Sequence, residues 1–522
     1  MSKTAGILGA AAVVALSLGW KQPEAPTERV LVQGDGVAAV VAAVRAVGGE
    51  VTHELGIIRA VGTELTAAQA DKLLDRQEIS RIYADAAVEI SKRHQGITGD
   101  PAIDGDRETD FPRQVHADQM HAAGIDGYGV SIAVLDTGLW RGDGTKFAAD
   151  GHPRVVATYD AIADLPSVSG SDGNGHGTHV GSVAVNSRQT PGGGYSGIAP
   201  NADLVTVRAF GADGEGTYAD VIRGIDWVVA NRVQYGIRIL NCSFSALPQS
   251  YYWDDPLNQA VMAAWQAGIV VVTAAGNGGP DPMTIGVPGN VPYVITVGAM
   301  SDNFTPYSGG DDYLTTFSAA GPTLEAFVKP EVVAPGGHVW GLVPETATLA
   351  QTYPAYADDE QWFRMSGTSQ AAAVVTGVVA LMLQDDPSLS PDEVKCRLMD
   401  SAHAAVDLAG GLAYSPLQQG AGLVDAAGAA ASTRLACANL GLDVGKDLDG
   451  TEHYAGPVRW DDSSESFYIE DAGYGWDASY PTDGFSWTAA SPWVTASPWV
   501  TASPWVTASP WVTASPWVTA SP

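Results

Sequence analysis

Three short motifs carry side chains able to do chemistry. In LDTG, residues 135–138, Asp136 ends an apolar run; in NGHGTHVG, residues 174–181, His176 and His179 stand at a glycine-flanked entry into a helix. In SGTSQAAAVVTGVVALML, residues 366–383, Gly367 and Thr368 lead Ser369 into a long apolar helix. Each has an ordinary structural use. The acid can cap a turn, the serine can cap the helix, and histidines three apart can hold a metal, although no further ligand pattern such as HExxH accompanies them. Their joint occurrence points elsewhere. A serine hydroxyl is a poor nucleophile until an imidazole takes its proton, and that imidazole needs a carboxylate to fix its tautomer and stabilise its charge. The three motifs supply these three groups, which is the equipment for acyl transfer through an activated serine.

From Val130 the elements that would position them alternate. VSIAVLD, DLVTVRAF, IRILNCSFS, IVVVTAAGN and YVITVGAM are continuous apolar runs, as strands covered on both faces require. Amphipathic helices fall between them, for example Tyr218 to Asn231 and Pro256 to Ala267. Alternation of this kind predicts an α/β fold with a doubly wound, mainly parallel sheet and a ligand site at the carboxyl ends of its strands. Asp136, Ser243 and Asn277 fall at three such ends.

The order Asp, His, Ser on a parallel-sheet domain resembles the subtilisin-like serine proteases, for which that chain order is the known one. The resemblance spans roughly residues 115–435, and KPEVVAPGG, FSAAGP and QGAGLVDAAGAA extend it toward bacterial secreted members. It implies that Asp136 orients, His176 acts as general base and Ser369 as nucleophile. Asn277 of AAGNGG matches the family's oxyanion-hole asparagine. Gly214, Glu215 and Gly216 match the edge that pairs with an extended substrate, a sequence-tolerant strand addition. Ser243, Phe244 and Ser245, with Ala275 and Gly276, match the walls of the primary specificity pocket, and Gly286 its floor. A floor glycine implies a deep, uncharged pocket and a preference for large hydrophobic or aromatic residues. Two departures stand out: GTSMASP is GTSQAAA here, so Gln370 replaces a methionine beside the nucleophile, and Phe244–Ser245 replaces a smaller, glycine-containing wall. The resemblance implies no cofactor for the chemistry and no catalytic metal. Structural calcium is common in the family, but 186–197, where one site would lie, lacks an obvious carboxylate set.

The N-terminal region gains a meaning from the same family. Residues 27–90 show a small α+β pattern of strand, Ala/Val helix, two short strands, second helix and last strand, the size and order of an inhibitor-like propeptide; a permanent accessory domain is the alternative. The chain is thus divided into a signal peptide at 1–24, propeptide at 25–95, linker at 96–114, peptidase domain at 115–435, an acidic, aromatic-rich extension at 436–490 and a hexad-repeat tail at 491–522. The leader has Lys3 followed by an apolar run shorter than the roughly 20 residues of a membrane span. This predicts an extracellular protein with no stable membrane span after signal removal.

Composition narrows the partners. The 522 residues carry 59 acidic and 27 basic side chains, a net charge of −32, which excludes a nucleic-acid partner because such a surface repels phosphate. Few of the cations are lysine, and a dense acidic coat suits concentrated salt, although many secreted proteins are simply acidic. Cys242 reads as a buried thiol, while Cys396 and Cys437 either pair or stay free. In the tail SPWVTA repeats five times. A proline in each hexad blocks a central strand, leaving adhesion through tryptophan or an inert expansion as readings. The expected partners are polypeptide substrates and the chain's own propeptide. The rival readings are an idle adhesion protein and a dedicated processing protease.

Overall fold

The computed structural model describes residues 25–90, 110–166, 170–305, 310–358, 360–407, 411–470 and 474–478, with short strands at Phe485–Trp487 and Ser503–Trp505. The expected signal peptide, most of the linker and nearly all of the repeat lie outside the described residues.

The N-terminal module is a four-stranded antiparallel sheet, ordered Glu50–Leu55, Ala60–Thr66, Thr27–Gly34, Ile79–Ala84, with helices Val37–Ala46 and Ala67–Leu74. Its strands use their two-residue period on two different partners. Val30, Val32, Val61 and Leu65 pack with Val40, Val44 and Leu73 of the helices, whereas Leu31, Leu55 and Ala60 join the core of the large domain. Thr66 and Gln69 close a reciprocal capping box at the second helix.

In the large domain seven strands run parallel, in the order Val332–Pro335, Ile295–Ser301, Val270–Ala274, Ile237–Cys242, Ser131–Asp136, Asp203–Arg208, Val155–Asp160. Two short antiparallel strands, Tyr313–Leu314 and Leu165–Pro166, complete the nine-stranded sheet. The runs read as doubly covered strands are buried along their whole length at Ser131–Asp136, Val270–Ala274 and Ile295–Ser301. From Ser131–Asp136 the chain first builds toward Asp203–Arg208 and Val155–Asp160, then returns to the opposite side at Ile237–Cys242. The end of Ser131–Asp136 is therefore a topological switch point, where a crevice must open. Helix Thr368–Asp385, apolar on all sides, is buried from Thr368 to Leu383. Among the described residues no helix is long and apolar enough to cross a membrane.

Two expectations need correction. Residues 111–114, placed in the linker, form helix Phe111–Gln114, with Phe111 in the main core. The acidic extension is no separate appendage. Its sheet of Val458–Asp461, Ser466–Ile469 and Tyr474–Trp476 buries Val458, Ile469 and Trp476 against Ala320, Val328 and Leu417. Asp447 in the same region accepts from Tyr252 (2.5 Å), Tyr293 (3.1 Å) and His453 Nδ1 (2.7 Å). Cys396 and Cys437 form a disulfide across this boundary, 41 residues apart, which is worth about 4 kcal/mol by loop closure. Cys242 is free and buried, and burial together with the Asp136 charge pushes its thiol well up.

Candidate active site

Asp136 is the last residue of its strand and His176 the first of helix His176–Val185. His176 Nδ1 lies 2.8 Å and 3.0 Å from the two Asp136 carboxylate oxygens. The approach depends on Gly177, whose added Cβ would sit 2.3 Å from the Gly138 carbonyl oxygen and 3.1 Å from Asp136 Cβ. Cys242 pairs with Leu135, so Ser243 comes level with Asp136 on the neighbouring strand end. Ser369 reaches Ser243 from the central helix: its hydroxyl donates to the Ser243 carbonyl at 2.9 Å, and the Ser243 hydroxyl donates back to the Ser369 carbonyl at 3.0 Å. Asp136, His176 and Ser369 are 0%, 2% and 1% exposed. With Nδ1 engaged by the carboxylate, Nε2 of His176 is the nitrogen left for a proton transfer.

Asn277 follows the Val270–Ala274 strand. Its side-chain oxygen accepts from Thr368 N–H and Thr368 hydroxyl, both at 3.0 Å, which holds the amide beside the turn that carries Ser369. The NH₂ end lies over Gly367, 3.4 Å from where a Cβ there would be.

Several positioning residues escaped the sequence reading. Asp172 is 5% exposed and gathers Thr137 hydroxyl (2.8 Å), Asn174 N–H (3.1 Å), Gly175 N–H (2.8 Å), Thr178 N–H (2.8 Å) and Thr178 hydroxyl (2.8 Å). One carboxylate thereby ties the end of the Asp136 strand to the start of the His176 helix. The only sequence signal was an acid four residues before His176. Behind Ser243, Asn241 donates to its hydroxyl (2.9 Å) and accepts from Thr376 (2.8 Å), pinning the central helix to the sheet.

His179 is a core residue. Its Nε2 donates to Phe363 O (3.0 Å), so Nδ1 is the acceptor that faces Gln370 Nε2 (3.4 Å). Gln370 is thus the second partner of a neutral imidazole. Burial, and then the nearby His176, push His179 down to about 3. An unfolded histidine titrates near 6.5. The unfolded chain therefore takes up this proton first, and the stability His179 allows is lost as pH falls from about 6.5 toward 3. In a Ser369→Ala background, the stability advantage of the wild-type histidine over His179→Asn is expected to shrink by about 1.4 kcal/mol per pH unit in that window. Urea melts at pH 7, 6 and 5 measure this; a constant gap would show that His179 is not held neutral.

The substrate-side residues also converge. Strand Ala87–Ile90 of the N-terminal module lies between Glu215–Thr217 and Phe244–Ser245, antiparallel to both. Ile90 N–H donates to Gly214 O at 3.2 Å. Gly214, at φ 81°, sits in a conformation that disfavours a side chain, and Ile90 Cδ1 stands 2.6 Å from its Cβ position. The module is anchored further by Asp85 on the Ala219 N–H (2.9 Å), Gln33 on Gln259 (2.8 Å), His53 on Asp220 (3.1 Å) and an Arg81–Asp254 ion pair.

Segments 243–246, 274–277 and 284–287 are laced together by Ala246 N–H to Val287 O (3.0 Å), Val287 N–H to Ala246 O (2.8 Å) and Gly286 N–H to Ala275 O (3.1 Å). The three segments that the resemblance assigns to the primary specificity pocket thus lie side by side. Gly286 does not open into empty space: the Ser245 hydroxyl lies 1.8 Å from where its Cβ would be.

The 186–197 segment contains no carboxylate, and Arg188 within it pairs with Asp143 at 3.3 Å.

A buried acid at one strand end is paired with a helix histidine, and a helix serine is hydrogen-bonded to the neighbouring strand end, an arrangement that suits a serine hydrolase. The subtilase family model matches residues 127–429, more than half of the chain, and the chain belongs to that family of serine endopeptidases. It is 38% identical over 278 residues to the serine protease AprX of Bacillus subtilis, covering 52% of this chain and 60% of that one. An alkaline protease of Alkalihalobacillus alcalophilus is 30% identical over 387 residues, 74% of this chain and 85% of its own. Among solved structures, fervidolysin from Fervidobacterium pennivorans, a keratinolytic enzyme related to subtilisin, superposes with a TM-score of 0.60 at 26% identity, covering 80% of this chain and 62% of that one.

Proposed function

We propose that this protein is a secreted serine endopeptidase made as a precursor inhibited by its own N-terminal module. Asp136 holds the His176 imidazole, His176 takes the Ser369 proton, and Ser369 attacks the peptide carbonyl. The Ser369 backbone N–H and the Asn277 amide receive the resulting oxyanion. The departing amine takes the proton from His176, and water then releases the acyl group by the reverse sequence. Gly214 to Gly216 and Ser243 to Ser245 hold the substrate as an added strand. Residues 1–24 direct secretion, a reading supported by the Cys396–Cys437 disulfide, which persists in oxidising compartments.

The observation that carries the inhibited-precursor reading is the strand Ala87–Ile90, seated between the two edges that a substrate would use, with Ile90 opposite Phe244, the neighbour of the Ser243 that is hydrogen-bonded to Ser369. The likeness to the alkaline protease, over 387 residues, also runs beyond the span of the peptidase family model. A fragment of residues 25–90, which has a core of its own, is expected to inhibit the matured enzyme competitively. The new N-terminus after maturation is expected within the first few residues past Ile90. Steady-state inhibition at varied substrate and N-terminal sequencing test both. A fragment that neither binds nor inhibits would make the module an accessory domain.

A further inference from the structure

We propose that Ser245 fills the bottom of the primary specificity pocket, so that this peptidase cuts after small residues, alanine, serine or glycine, and rejects aromatic and large aliphatic ones. The inference rests on the peptidase reading above and concerns which substrates that site accepts.

Two glycines, Gly276 and Gly286, stand where a deep pocket would need them. A Cβ on Gly276 would meet the Ser245 hydroxyl at 3.1 Å, and one on Gly286 would meet the same oxygen at 1.8 Å. One hydroxyl therefore touches both the wall and the floor, occupying the volume that the two missing side chains leave. Turning the hydroxyl away leaves the site tight: Ser245 Cβ, whose place is set by the backbone, is itself 3.2 Å from the Gly286 Cβ position, and Ala246 O is 2.9 Å from it. The backbone is held in turn by the paired hydrogen bonds between Ala246 and Val287. Behind the floor there is no slack, because Ala275, Ile285 and Ala319 pack together at 0–2% exposure.

An apolar pocket discriminates weakly against a smaller side chain but strongly against one that must displace packed atoms. A ring or a branched four-carbon side chain would have to displace Ser245 and the floor strand together. A methyl or hydroxymethyl group needs only the part of the slot above the Ser245 hydroxyl.

The test compares the matured full-length enzyme with Ser245→Gly on peptides that differ only in the residue before the cut bond. Wild type is expected to favour alanine over phenylalanine by roughly tenfold or more in kcat/KM, and Ser245→Gly to raise the phenylalanine-to-alanine ratio by roughly ten- to a hundredfold. Ser245→Ala, which keeps Cβ and loses only the hydroxyl, is expected to fall between them and serves if the glycine variant does not mature. A wild-type enzyme that cuts after phenylalanine as well as after alanine overturns the inference while leaving the peptidase reading intact. So does an unchanged ratio in both variants. Failure of wild type and variants alike to cut any peptide overturns the peptidase reading, and this inference with it.

Discussion

Ser369→Ala is expected to abolish peptide hydrolysis and to leave the precursor uncut. The variant removes the proposed nucleophile, and the Asp136–His176 pair then has no hydroxyl to activate. The expected loss in turnover is on the order of a millionfold, a size measured for removal of the serine in a subtilisin, a relative of this chain. The fold should survive the change. The lost hydroxyl makes one hydrogen bond, to Ser243 O, worth about 1 kcal/mol, while the reciprocal bond from Ser243 to the Ser369 backbone remains. Gel migration of the protein expressed without another protease, together with hydrolysis of a soluble peptide, gives the answer. Full-rate maturation by Ser369→Ala would sink the assignment of the nucleophile.

Asn277→Ala is expected to slow turnover by roughly a hundred- to a thousandfold while changing KM little, again a size known from a subtilisin. The donor matters when the oxyanion forms and not before, so the loss belongs in kcat. Asn277 also holds Thr368 through its side-chain oxygen, and a displaced Thr368 could slow the enzyme by itself. Asn277→Asp separates the two effects, since it keeps an oxygen for Thr368 and lacks the N–H. Recovery of the rate in Asn277→Asp would mean that Asn277 only supports the turn; equal or greater loss assigns it to the oxyanion. An unchanged rate in Asn277→Ala would remove it from the site.

Much of the architecture was legible in local pattern. A strand covered on both faces has to be apolar throughout, which is why VSIAVLD and IVVVTAA announced the sheet. Thr66 and Gln69 stand at capping-box spacing, and a helix apolar on every side has to be buried, as Thr368–Asp385 is. The candidate chemical groups were legible for a similar reason: Asp136, Ser243 and Asn277 each sit at or just past a strand end, where a parallel sheet opens its crevice. What local pattern could not say is which side of a residue meets a distant partner. Nothing near Ser245 reveals that its hydroxyl lies over Gly286, 41 positions on, because that contact is set by the pairing of Ala246 with Val287. Gln370, in the sequence only a departure beside the nucleophile, is set by packing against His179, 191 residues away. Asp172 carries no local signal of its role, which comes from the approach of the Asp136 strand to the His176 helix that it ties together. The seat of Ala87–Ile90 between two edges, each more than 100 residues downstream, likewise depends on how the module's outer sheet face packs on the large domain. Periodicity decides the elements because it acts between neighbours in the chain. Specificity, inhibition and the protonation of a buried imidazole are decided by neighbours in space, and only the tertiary packing chooses those.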